Sequence, residues 1–392
     1  MSDMPTTSDA RADLTALRGI TWSHPRGFEP LLALARLARQ PGDLRVGDSH
    51  LDWDRQDLAG FESRSIAELA EEYDLIVLDH PGLGAAVNAN ALEPLETIVP
   101  PAVLERWRTQ FVGSSLASYN YLGSQWAVPI DAATQVAAYR DPELFLTSWD
   151  DVLRGLSRAC LPTKTPHALL SVLGIAVAVE PGMRSTPHEL APSDALSTAY
   201  DIFAAIVRSM PTSALDLDPI EMLEQISQGT IEYSPLLYSY VTYARRPATA
   251  RVTFRDAPAF ADSTPGTVLG GTGLAISRRS SRKPEALQHL LQISSTAAQC
   301  EVFPHSGGQP ADSTAWADPA TDADAAGFYS GTARSQVEAW RRPRYAGWTT
   351  FQHSASAMIM ESVRSGEHPD SLARRLNDCF AASVSTSPLP GL

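Results

Sequence analysis

The stretch Trp126-Ala-Val-Pro-Ile-Asp-Ala-Ala-Thr-Gln-Val-Ala-Ala-Tyr-Arg140 constrains this chain more than any other. It reads as one extended run with α/β patterning on both sides. Pro129 cannot donate to a central ladder and fixes its own φ, so the run is expected to pause at Ile130-Asp131 and resume as Thr134–Tyr139. A strand that pauses between two α/β units is how a chain crosses from one lobe to another. At 392 residues the chain suits two domains of ordinary size.

Composition narrows the partners. With 31 Lys+Arg against 45 Asp+Glu the net charge is −14, the wrong sign for a nucleic-acid partner. No apolar run is long enough to span a bilayer, so membrane insertion is not expected. Cys160, Cys300 and Cys379 are odd in number and far apart. They offer neither a metal pair nor a disulfide framework and read as buried small hydrophobes, and no cofactor is expected. A small neutral or mixed-charge solute is the expected partner, and a monomer the expected state. Residues 1–15 read as a flexible N-terminus. Met1 to Asp13 has no basic segment and no apolar core, which places the chain as written in the cytoplasm. If the start is truncated, the location becomes periplasmic or extracellular.

In chain order, Ala16–Trp22 reads as a strand and Phe28–Arg39 as a helix with Leu31, Leu34, Ala35 and Ala38 on one face. A second strand is expected around Asp43–Val46 and a polar helix around Ile66–Glu72. Tyr73-Asp-Leu-Ile-Val-Leu-Asp79 has the four consecutive apolar residues of a strand buried on both faces. In doubly wound sheets ligands bind beyond the carboxyl ends of the strands, which brings Trp22, His24 and Arg26 to the same crevice as Asp79 and His80. Turn chemistry explains each of these loop residues equally well.

Later, Pro166–Val179 is almost wholly apolar and fits a core helix of the second lobe, with His167 at its start. Helices are expected at Ser193–Ser209 and Pro219–Gln228. Tyr233, Tyr238, Tyr240 and Tyr243 cannot all share one helical face, so some must look at solvent or at a cleft. Gly266-Thr-Val-Leu-Gly-Gly-Thr-Gly-Leu-Ala-Ile-Ser277 continues as a strand after its glycines, and no Lys-Ser/Thr follows. A phosphate loop is therefore excluded, and Gly271 and Thr272 fit a bulge or close backbone approach at a cleft. Arg341-Arg-Pro-Arg-Tyr-Ala-Gly-Trp348 is basic and aromatic in an acidic protein, so Arg344 could hold a carboxylate while Tyr345 or Trp348 stacks.

These segments together resemble the bacterial extracellular solute-binding proteins of family 1, the substrate-binding subunits of ABC importers that include maltose-binding proteins. The likeness rests on the 126–140 crossing, the strand ending in Asp79, Thr147-Ser-Trp-Asp-Asp-Val-Leu153, and the Gly270–Ser277 strand before a Pro-Glu-Ala helix. It implies an α/β chain with the type II periplasmic-binding-protein fold: two lobes, each a mixed sheet flanked by helices, with a cleft between. Residues 16–130 and 255–309 would form lobe 1, and 131–254 with 310–392 lobe 2. The crossings are then expected near Asp131, Phe254 and Gln309. The implied ligand-binding set is Trp22, His24, Arg26, Asp79, His80, Asp131, His167, Tyr238, Tyr240, Gly271, Thr272, Arg344, Tyr345 and Trp348.

Two functions follow from this reading. One is a binder that captures a small, carbohydrate-like solute for ABC-type import and hands it to a permease. The other is an intracellular enzyme on the same fold, with His24, Asp79, His80 and Asp131 as acid–base groups.

Overall fold

The computed structural model describes residues 16–47, 49–260 and 263–387. The expected flexible segment 1–15 lies outside them. Among the described residues nine strands follow in chain order. They are β1 (Leu17–Trp22), β2 (Leu51–Gln56), β3 (Leu75–Leu78), the short pair β4 (Asn120–Tyr121) and β5 (Ser124–Gln125), β6 (Val128–Tyr139), β7 (Tyr233–Tyr238), β8 (Thr253–Arg255) and β9 (Leu269–Ile276). The second strand is not at Asp43–Val46. It forms at Leu51–Gln56, where Trp53 covers the backbone of Gly19 on β1 in a parallel register.

The first lobe carries the order β2-β1-β3-β9-β6. β1, β2 and β3 run parallel, whereas β9 lies antiparallel to both β3 and β6, so the sheet is mixed. The four residues of β3 are all buried, as a strand covered by helices on both faces requires. Ile20, Ile76, Leu78, Leu83 and Ala275 pack on one face; Leu17, Leu31, Leu34, Leu75 and Val77 pack on the other.

β6 joins the lobes. All twelve of its residues are buried. Its first half pairs with β9, from Val128 opposite Leu274 to Thr134 opposite Leu269, and its second half pairs with β7 and β8. The strand does not stop at Pro129. It continues with a register shift between Pro129 and Asp131, a bulge that lets the proline stay in the ladder's path. On the facing strand Gly271 has φ +93°, and a Cβ there would lie 2.4 Å from the Asp131 carbonyl oxygen. Only glycine fits that approach.

Phe254, where the second crossing was expected, pairs with Ala138 in the far half of β6. The chain next changes sheets at β9, whose start lies beside Thr134 and whose end lies beside Leu75. The third connection is tied by the fully buried Gln309. Its Nε2 donates to the Ala132 carbonyl at 2.6 Å and to Ser239 Oγ at 3.0 Å, while its Oε1 accepts from the Val241 N–H at 3.0 Å.

The second lobe is built around helix His167–Val179, with all but its last residue buried. It packs between helices Ser193–Ser209 and Trp348–Ser365. Each leucine, isoleucine or valine buried there contributes roughly 1.5–3 kcal/mol. Ser148 caps the helix Trp149–Arg154 by accepting from the Asp151 N–H at 3.1 Å, and Trp149 lies beneath, fully buried.

Candidate ligand site between the lobes

A cavity of about 350 Å3 opens beyond the carboxyl ends of β1 and β3. β1 delivers Trp22 to its wall, β3 leads into Asp79, β9 supplies Gly270, Gly271 and Thr272, and β7 leads into Tyr238 and Tyr240. His167 closes the far side at the start of its helix. The remaining wall is largely apolar, with Phe61, Ile66 and Leu170 among its residues. A concave, mostly apolar space with a few polar groups is the ordinary form of a small-molecule site.

Arg26 also reaches the cavity wall, yet its guanidinium is committed elsewhere. Nε and Nη2 donate to the two oxygens of Asp131 at 2.7 and 2.5 Å, and Nη1 donates to the Ser239 carbonyl at 2.7 Å. Both side chains are at most 4 % exposed. Burial alone would lower the Arg26 pKa, but Asp131 in contact raises it above its ordinary value, so the guanidinium stays charged. Asp131, expected among the ligand groups, is absent from the cavity wall. Through Arg26 the start of helix Pro25–Leu37 is tied to the crossing strand and to the segment just after β7.

His24 is the N-cap of helix Pro25–Leu37, its Nδ1 accepting from the Arg26 N–H at 3.1 Å. Its ring stacks on Trp22 at 5.2 Å and does not line the cavity. His80 is fully buried behind Asp79, edge-on to Tyr119. Burial, with Arg26 and Arg246 adding to it, pushes His24 down to about 4; burial and Arg342 push His80 to about 4 as well. Both rings are neutral near pH 7, and neither lines the cavity.

Asp79 does face the cavity, and it does so paired. Arg342 Nη2 donates to both of its oxygens, at 2.9 and 2.7 Å, and the His80 N–H donates to Oδ1 at 2.8 Å. Burial would raise the Asp79 carboxyl, but Arg342 and His80 outweigh it and hold the group down to about 2. Asp79 ends a first-lobe strand, whereas Arg342 precedes the second-lobe helix Trp348–Ser365, so the ion pair spans the cleft.

Arg344, Tyr345 and Trp348 are not at the site. Arg344 donates to the Ala117 carbonyl at 3.1 Å. Tyr345 and Trp348 are fully buried against Phe380. The segment Arg341–Trp348 turns its aromatic residues into the lobe and its Arg342 toward the cleft. Arg342 and Gln352 are among the lining residues that the sequence reading missed, with Gln56, Arg64, Ser65 and Thr349. The Arg-Arg-Pro-Arg tract signals the first, but only packing chooses among its arginines. Nothing in sequence marks Gln352.

No family model and no curated protein matches the sequence. Solved structures do match it. Maltose-bound MalE3 of T. maritima superposes with a TM-score of 0.74 at 13 % identity, covering 93 % of this chain and 98 % of that one. The GacH receptor of Streptomyces glaucescens gives 0.75 at 16 % identity over 95 % and 98 %. UgpB of Mycobacterium tuberculosis in complex with glycerophosphocholine gives 0.73 at 15 % identity over 94 % and 98 %. The chain has the fold of the ABC-importer solute-binding proteins. The strand order β2-β1-β3-β9-β6, the shared strand β6 and the cavity beyond the strand ends are how this solute-binding-protein fold is realised here. No helix among its described residues is long and apolar enough to cross a membrane.

Proposed function

We propose that the protein binds a small organic solute, carbohydrate-like in size and polarity, in the cavity between its lobes and delivers it to an ABC-type permease. The observation that carries this reading is the cavity of about 350 Å3, walled from both lobes and bridged by the Asp79–Arg342 pair. Its volume falls in the range of sites that engulf small ligands. Trp22, Tyr238 and Tyr240 bring aromatic surface to the wall for the apolar side of a ligand, and Thr272 and Gln352 bring polar groups for its hydroxyls. Structures of the same fold hold maltose or ribitol. Import would place the protein outside the cytoplasmic membrane, which cell fractionation can test.

The enzyme reading is disfavoured by the state of its groups. His24 and His80 lie off the cavity, Asp131 is consumed by Arg26, and an Asp79 held near 2 is a weak base at neutral pH.

In the binding reading the lobes open and close about β6, β9 and the Gln309 segment. Scattering should therefore give a larger radius of gyration without solute than with it. A solute that binds tightly and leaves the curve unchanged would remove the hinge from this account.

A further inference from the structure

The charged side chains on the cavity wall are already matched. Arg26 is paired with Asp131, Arg64 with Glu72 at 2.6 Å, and Asp79 with Arg342. What remains for a solute is neutral, and among the histidines near the cleft His167 stands apart. The ring nitrogens of His80 are sealed away, and His24 spends its Nδ1 on the Arg26 N–H. His167 lines the cavity and is 7 % exposed. Its backbone N–H donates to the Lys164 carbonyl at 2.7 Å. Its ring nitrogens take no hydrogen bond among the described residues, and unlike those of His80 they keep access to the cavity. A polar ring more than nine-tenths buried costs stability unless something satisfies it, and the open side of this one is the cavity.

The ring is also held in place. His167 begins a helix that is buried as far as Ala178, and Tyr238 at the end of β7 stands edge-on to it, 6.1 Å between centroids. Burial, with Arg342, Lys164 and His353 adding to it and Glu221 opposing it, holds the imidazole down to about 3. At neutral pH the ring therefore carries no charge and offers one N–H donor and one acceptor nitrogen. A hydroxyl is the solute group that both donates and accepts in the same way. A carboxylate would find only the donor, and an ammonium only the acceptor.

We propose that His167 is the side chain that reads a hydroxyl of the solute, by a hydrogen bond from the second-lobe wall of the cavity. The proposal rests on the solute-binding reading and adds the group by which the solute is recognised. A site built to hydrogen-bond a hydroxyl rejects the analogue that lacks it, because the protein's own polar group is then left buried and unpaired.

Calorimetric titration tests this with glucose, maltose and ribitol, followed by the singly deoxygenated forms of whichever binds. One deoxygenated form should bind the unaltered protein about tenfold more weakly than its parent compound. In His167→Phe, which keeps a flat ring and removes both nitrogens, the parent compound should weaken by about the same factor, and that deoxygenated form should lose nothing further. His167→Asn, whose amide has a donor and an acceptor, should restore part of the affinity. Circular dichroism confirms that each variant is folded. The titratable and charged groups facing the ring are Lys164 just before its helix, Glu221 on Pro219–Gln228, Tyr238 on β7, Arg342, and His353 on Trp348–Ser365. With the ring uncharged among them, affinity should be flat between about pH 5 and 8. A His167→Phe protein that binds the parent compound as tightly as the unaltered one, one in which every deoxygenation keeps its full cost, or an affinity that climbs as pH falls, overturns the hydroxyl contact and leaves the solute-binding reading intact. Binding of none of the three compounds by the unaltered protein overturns both.

Discussion

Replacing Arg26 by alanine should destabilise the protein by about 3–5 kcal/mol, the cost of leaving one partner of a buried ion pair without the other. Asp131 lies 3 % exposed on the strand shared by both lobes, and Arg26 supplies two of the hydrogen bonds that its oxygens receive. The loss should be sensitive to pH with a definite sign. Burial raises the Asp131 carboxyl, and Arg26 opposes that rise. Without Arg26 the folded variant holds its proton to higher pH than the unfolded chain does. The deficit is then least below the ordinary carboxylate range and full once pH passes the folded value. Urea titration between pH 4 and 8 reads it. A double change, Arg26→Met with Asp131→Leu, should recover much of the stability, since it removes both charges. An Arg26→Ala protein as stable as the parent at neutral pH would show that the pair is not the tie described here.

A side chain at Gly84 should hold the cleft open. Gly84 lies in the first-lobe helix Leu83–Asn88, and a Cβ there would fall within 3 Å of the backbone of Arg344, Tyr345 and Ala346 from the second lobe. Backbone on both sides leaves no flexible atom to give way, so Gly84→Val acts as a wedge between surfaces that meet on closure. The expected result is a loss of solute affinity of at least tenfold, about 1.4 kcal/mol, with a radius of gyration that no longer falls on addition of solute. Thermal melting without solute should change little, because the clash is relieved by opening. A variant that melts early and scatters like the closed protein would place Gly84 in a permanent contact instead.

Much of the fold was legible because its signals are local. The buried run ending at Leu78, the apolar helix after Pro166 and the Gly270–Ser277 strand each announce themselves within a dozen residues. The strand expected at Asp43–Val46 was not legible, since β2 is chosen by its pairing with β1, and Trp53 marks it only once it is seen against Gly19. The site divides the same way. Trp22, Asp79, Tyr238 and Tyr240 stand at or just past strand ends, Gly271 and Thr272 lie within β9, and all six reach the cavity. Asp131 was expected for its place on the crossing strand, but Arg26, 105 residues away, takes its charge. His24 and His80 follow turn and cap chemistry, which competes with ligand chemistry for the same residue types. Arg342 and Arg344 are two residues apart, and tertiary packing alone turns one to the cleft and the other to the Ala117 carbonyl.

On the solute-binding reading the cavity should receive a small solute and return it unchanged. Native mass spectrometry of the protein after incubation with a pooled panel of sugars, polyols and their acidic derivatives tests it in one measurement. A single class of solute should be retained one to one, with its mass unaltered and no new product in the supernatant. A panel member chemically converted by the protein, with conversion abolished in Asp79→Asn, would contradict it.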